Sequence, residues 1–159
     1  VDVRAKLPIG QGIWPAIWML PTDEKYGGWA SSGEIDIMEL VGHKPSTYHG
    51  TLHYGGGWPQ NKHTGKEYKL PKGTFADDFH IFSIFWEEGK IIWGIDGKAW
   101  QTQEKWHSDK SSFPAPFDQR FHLLINLAVG GRWPGNPDDK TKFPAKMLVD
   151  YVRVYQTEK

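Results

Sequence analysis

The chain has 159 residues and a mass of 18.2 kDa, which suits one domain and leaves little room for two. Nineteen Lys plus Arg against nineteen Asp plus Glu give a formal net charge of zero. That removes the electrostatic handle for a nucleic-acid backbone or an anionic bilayer, and no stretch approaches the roughly 20 apolar residues of a membrane span. The absence of cysteine excludes disulfides, thiol catalysis and thiolate metal sites at once.

A hydrophobic content of 38% argues against disorder. Nine Trp, six Tyr and eight Phe, together with 18 Gly and 11 Pro, point to short strands, tight loops and flat aromatic surfaces. Large rings beside neutral polar groups suit a neutral, patterned ligand such as a sugar.

Val1 to Leu7 alternate apolar with charged residues and predict a half-buried strand that starts at residue one. With no initiator Met and no signal peptide, the chain reads as an excised piece beginning mid-domain. Pro8 to Gly12 is a turn, and Ile13 to Leu20 a second strand. Trp14, Ala16, Trp18 and Leu20 share one of its faces, with Ile13, Ile17 and Met19 toward the other. Residues 21 to 33 form a Gly/Ser/Pro loop. Glu34 to Val41 and Tyr48 to Tyr54 are strands, and Gly55-Gly56-Gly57-Trp58-Pro59 opens a long polar loop. Phe79 to Glu87 and Lys90 to Asp96 pair across Glu88-Gly89, and Asp96-Gly97 turns into a strand near Ala99 to Thr102. Phe121 to Ala128 is a strand, Val129 to Asp139 a loop, and Met147 to Gln156 the closing strand. No segment carries a sustained helical period, so the expectation is an all-β sandwich or barrel in a single domain over 1–159.

The segment Gly33-Glu34-Ile35-Asp36-Ile37-Met38-Glu39-Leu40 carries the chemistry. Ile35 and Ile37 point into a core, so Glu34 and Asp36 face the opposite way. Strict alternation would bury Glu39 with the isoleucines, where an unpaired carboxylate is costly. One extra residue, a β-bulge near Met38, returns Glu39 to the acidic face. Three clustered carboxylates cannot all ionise cheaply, so one retains its proton near neutrality. A protonated acid beside an ionised one is the equipment for glycoside cleavage. Two other readings remain at this point. An exposed edge strand would disperse the repulsion into water, and hard oxygen ligands would take calcium, although a straight strand offers few of the carbonyls that calcium uses.

The acidic segment resembles the signature of glycoside hydrolase family sixteen in its bulged form. Trp14-Pro15-Ala16-Ile17-Trp18-Met19-Leu20, Gly50-Thr51-Leu52-His53-Tyr54, Asn126-Leu127-Ala128-Val129-Gly130-Gly131 and Val149-Asp150-Tyr151-Val152-Arg153-Val154-Tyr155 are similar, in order, to blocks of its laminarinase branch. The resemblance implies a jelly-roll sandwich of two curved antiparallel sheets with a concave substrate cleft. It makes Glu34 the nucleophile, Glu39 the general acid/base and Asp36 the residue that tunes both. It implies a retaining, endo-acting hydrolase of β-1,3-glucan and of mixed β-1,3-1,4-glucan, with carboxyl groups about 5 Å apart. A polymeric substrate implies a secreted, extracellular protein. No cofactor is needed for the chemistry. A structural calcium ion on the convex face would use Asp150.

By the same resemblance Trp18 and Trp29 line the subsite beside the scissile bond, where an indole packs on the C–H face of a pyranose. Trp14 serves either the core or the cleft. His53 is expected to bond Glu39 or the sugar. Pairing His49 with His53 on one zinc ion fails, because four strand residues span about 13 Å. Asn126 and Trp133 belong to the far cleft wall, with a core amide and a loop anchor as their plainer roles. Phe85 stands where relatives often carry an acid, a change that concerns packing. The family's domain also begins before Val1, so strands supplied by another copy, by a complementing fragment or by a rebuilt sheet are expected. The competing functions are a glucan-binding protein without turnover and a hydrolase of another polysaccharide such as agar.

Overall fold

A computed structural model describes residues 1–156. Ten strands run in chain order: β1 (Asp2–Lys6), β2 (Ile13–Pro21), β3 (Glu34–Glu39), β4 (Thr47–Gly55), β5 (Asn61–Lys69), β6 (His80–Glu87), β7 (Lys90–Ile95), β8 (Lys98–Gln103), β9 (Phe121–Val129) and β10 (Leu148–Arg153). They form two five-stranded sheets, ordered β10-β1-β6-β7-β8 and β5-β4-β3-β2-β9, and the strand pairs are antiparallel. The all-β sandwich expected from the alternating pattern is therefore present, with the two antiparallel sheets of the jelly roll that the resemblance implies. One element differs. The polar stretch after Gly55 is a long loop only as far as Gln60, and Asn61–Lys69 is a nine-residue strand pairing residue for residue with β4.

The inward faces of the two sheets supply the core. Val3 and Ala5 of β1, Phe82 and Ile84 of β6, and Ile91, Trp93 and Ile95 of β7 meet Ile17 and Met19 of β2, Ile35, Ile37 and Met38 of β3, and Tyr48 and Leu52 of β4. Trp93 reaches furthest across. Its indole N–H donates to the carbonyl of Asp36 at 2.8 Å, so a buried backbone acceptor in β3 is satisfied from the opposite sheet. The ring fits because position 50 is glycine; a Cβ there would lie 2.5 Å from Trp93 Cδ1.

The two rims of the sandwich contrast. At one, β5 and β8 are polar: Thr64 and Gln103 bond each other by side chain, and the Gln103 amide donates to the Thr64 carbonyl. Charged and polar edges of this kind discourage further pairing. At the other rim, β9 and β10 leave inward-facing apolar residues uncovered. Ile13 and Ile17 are fully buried, yet their partners in register, Val129 and Ile125, are 54% and 37% exposed. Val3 and Ala5 are fully buried, while Val152 and Val149 opposite them are 42% and 41% exposed. Among the described residues, nothing covers this side of the core.

Candidate active site

The acidic strand β3 lies in the middle of its sheet, between β2 and β4. The reading as an exposed edge is thereby overturned, since both flanks of the strand are paired and the repulsion cannot be dispersed sideways into water. Register with β4 runs Glu34↔His53, Ile35↔Leu52 and Asp36↔Thr51, then resumes at Glu39↔His49, so Ile37 and Met38 together oppose Gly50. The β2 side shows the same slip, from Trp18↔Asp36 to Ile17↔Met38. This is the bulge that the alternation requires. Ile35, Ile37 and Met38 are all buried, and Glu39 returns to the face of Glu34 and Asp36.

Each carboxylate has a distinct set of neighbours. Trp29 donates its indole N–H to Glu34 Oε2 at 2.6 Å. The loop that presents Trp29 is tied by Ser32, whose Oγ accepts from the Tyr26 amide and donates to the Gly27 carbonyl, and by Gln119, which donates to the Ser32 carbonyl. Gly33 closes that loop at φ 86°, and a Cβ there would lie 2.8 Å from the Phe117 ring; glycine is what lets the chain enter β3 against that ring. Asp36 is 2% exposed, and its Oδ2 makes no hydrogen bond. Trp14 donates to Glu39 Oε1 at 3.1 Å. Trp133 stacks edge-on against Trp14 at 5.4 Å and against His49 at 5.1 Å. Glu39 therefore bonds one indole and pairs in register with His49, and a second indole packs on both of those rings.

One expectation is corrected here. His53 does not bond Glu39. Its position opposite Glu34 places Nε2 at 3.7 Å from Glu34 Oε1 and 3.2 Å from Asp36 Oδ2, because the bulge carries Glu39 on to pair with His49 instead. Asp150 is exposed and in a 2.7 Å ion pair with Arg4, and the potential metal-ligand cluster among the described residues is Glu34, Asp36 and His53.

Of the remaining residues, Trp18 is half-buried and donates to Asn126 Oδ1 at 2.8 Å, which links β2 to the exposed β9 and gives neither side chain a core role. Trp29 and Trp133 are each 41% exposed, as a sugar-stacking surface requires. His49 is a neighbour of the site that the alternation His49, Thr51, His53 on one face of β4 already indicated.

Burial splits the protonation of the three acids. Desolvation is the largest cause for each. Glu39 is pushed up to about 8, first by burial and then by the charge of Asp36, against the opposing pull of the Trp14 N–H. Asp36 is raised well above the ordinary aspartate value by burial and by Glu34 beside it. Glu34 is raised by burial but held down by His53, by the Trp29 N–H and by a proton shared from Asp36. Glu39 therefore keeps its proton at neutral pH, and Glu34 is the acid whose neighbours most oppose the upward push of burial. His49 is shifted down by burial, toward the neutral imidazole.

Residues 1–153 match the family model described as glycosyl hydrolases family 16. The chain is 50% identical to a glucan endo-1,3-beta-glucosidase A1 of Niallia circulans, over 99% of this chain and 24% of that protein. It is 41% identical to a beta-glucanase of Rhodothermus marinus, over 98% of this chain and 56% of that one. The catalytic domain of a Thermotoga petrophila endo-1,3-beta-glucanase superposes with a TM-score of 0.86 at 42% identity, over 99% of this chain and 63% of that domain. The chain thus spans less than two thirds of the length of each of these relatives. With the match running almost end to end and the bulged acidic strand at its centre, the chain belongs to glycosyl hydrolase family 16.

Proposed function

We propose that this chain carries the catalytic centre of a retaining endo-hydrolase of β-1,3-glucan that also accepts mixed β-1,3-1,4-glucan. The observation that carries the proposal is the division of labour on β3: Glu34 is the acid most readily ionised, and Glu39, five residues on and returned to the same face, holds a proton up to about pH 8. In the first step Glu34 attacks the anomeric carbon while Glu39 gives its proton to the departing glycosidic oxygen, which leaves a glycosyl ester on Glu34. In the second, Glu39 takes a proton from a water molecule that attacks the same carbon. Glu34 is released, Glu39 is protonated again, and the configuration is retained. Asp36, buried beside Glu34, helps to keep it ionised between turnovers. Trp18, Trp29 and Trp133 offer indole faces for the pyranose rings. The activities of the Niallia and Thermotoga relatives support the choice of linkage. A polymer of this kind is met outside the cell, and we assign the protein there.

The working domain also needs its apolar rim covered. We infer that additional strands pair with β9 and β10, from a complementing segment or a second copy, because Ile125, Val129, Val149 and Val152 would otherwise hold core positions in water.

Reducing-sugar release and product analysis on laminarin, lichenan and agarose side by side, with Glu34→Gln as control, tests the activity. Release from laminarin in the wild type alone is expected. Equal signals from wild type and variant would favour a glucan-binding protein, and release from agarose alone would move the substrate to a galactan. Light scattering tests the rim: an active, monodisperse monomer of this chain would refute the need for extra strands.

A further inference from the structure

We propose that Glu34, Asp36 and His53 form a reversible inhibitory site for a borderline divalent transition-metal ion, with zinc as the representative. One ligand atom from each residue lies within 4.8 Å of the other two. A tetrahedral zinc ion bound by oxygen and nitrogen at about 2.0–2.1 Å holds its ligand atoms about 3.3–3.4 Å apart. His53 Nε2 already stands 3.2 Å from Asp36 Oδ2 and 3.7 Å from Glu34 Oε1, so two edges of the tetrahedron are nearly formed.

A second, independent feature points the same way. Asp36 is 2% exposed, and its Oδ2, directed at His53 Nε2, makes no hydrogen bond. A buried oxygen without a donor is an open ligand. Glu34 Oε2 is occupied by the Trp29 N–H, which fixes the carboxylate and leaves Oε1 turned to His53. One imidazole with two carboxylates suits zinc, copper or nickel better than magnesium or calcium. The Glu34 and His53 side chains are 14% and 21% exposed, which opens an approach path from the cleft and leaves the fourth position to water. His53 Nδ1 is buried without an acceptor, whereas a resident metal's histidine is normally anchored there. The ion is therefore held reversibly, and it occupies the carboxylate that would attack the sugar. That inhibitory consequence rests on the hydrolase reading; the binding does not, and the two are measured apart.

Isothermal titration of the folded chain with zinc chloride, in a non-chelating buffer near neutral pH, is expected to show saturable binding of one ion. His53→Ala and Asp36→Asn are each expected to weaken it about tenfold or more. His63→Ala is expected to leave it unchanged, although that ring lies 5.7 Å from His53. Circular dichroism establishes that each variant is folded. As a measurement independent of variants, zinc should raise the wild-type melting temperature and calcium should not. No saturable heat at millimolar zinc, or binding that survives both substitutions, would overturn the site. Loss in His63→Ala with retention in Asp36→Asn would place the ion on a histidine pair and also overturn it. In a chain that hydrolyses laminarin, zinc should inhibit with the same dependence on His53; binding without inhibition refutes the regulatory assignment. A chain inactive on every glucan would sink the hydrolase reading and leave the titration to decide the metal site.

Discussion

Replacing Glu39 with glutamine should abolish turnover and make the protein more stable, by an amount that grows with pH. In the fold Glu39 holds its proton up to about pH 8, against an ordinary glutamate value of 4.5. Between those values the folded chain binds a proton that the unfolded chain has released, so rising pH favours unfolding. Integrated to pH 7, the penalty is about 3 kcal/mol, and at pH 5 it is about 1 kcal/mol. Glu39 keeps part of its surface in water, which screens the penalty and makes these figures ceilings. Glutamine has no proton to lose, and its amide oxygen can still accept from Trp14. For a domain of this size each kcal/mol is worth about 2–4 °C. Glu39→Gln should thus melt up to about 6–12 °C above wild type at pH 7 and only about 2–4 °C above it at pH 5. Paired thermal melts by circular dichroism from pH 5 to 8 measure this. A difference that stays flat across the range, or a variant that melts below wild type at pH 7, would refute the claim that burial holds the proton on Glu39.

The pH profile of kcat/KM should lose activity on the alkaline side near 8, as Glu39 deprotonates, and on the acid side above the ordinary glutamate value, as Glu34 is protonated. Trp14→Phe removes a hydrogen bond that favours ionised Glu39, so the alkaline limb should move up. Trp29→Phe removes the corresponding bond to Glu34, so the acid limb should also move up, and movement of either limb downward would contradict the assignments. Proton NMR of the first laminarin products should show the β-anomer forming before mutarotation, whereas an initial α-anomer would mean inversion. Gly50→Ala should cost at least about 1–3 kcal/mol in a denaturant titration, because the added methyl group meets the fully buried Trp93 ring at 2.5 Å.

The bulge was legible because a carboxylate at position 39 has nowhere to go in an unbroken alternation: Ile35 and Ile37 fix the buried face, and desolvation forbids Glu39 from joining them. The strand β5 was not legible. Its sequence, Asn61 to Lys69, offers the core one large ring, Tyr68, and its nine-residue pairing with β4 makes it a strand. The partner of His53 was hidden for a related reason. Which acid a histidine meets depends on the register between β3 and β4, a long-range quantity that the bulge itself shifts by one residue. His49 was within reach of pattern reasoning, because it shares a strand face with His53. The partner of Asp150 was hidden likewise, because Arg4 meets it only through the pairing of β1 with β10.

The bond from the Trp93 indole to the Asp36 carbonyl joins the floor of the acidic strand β3 to the far layer of the sandwich. Sliding one layer over the other would drag on the peptide between Glu34 and Glu39 before any surface loop was disturbed. Heat inactivation should therefore coincide with loss of the tryptophan near-ultraviolet signal, with no window in which the two-layered body persists while hydrolysis has already failed.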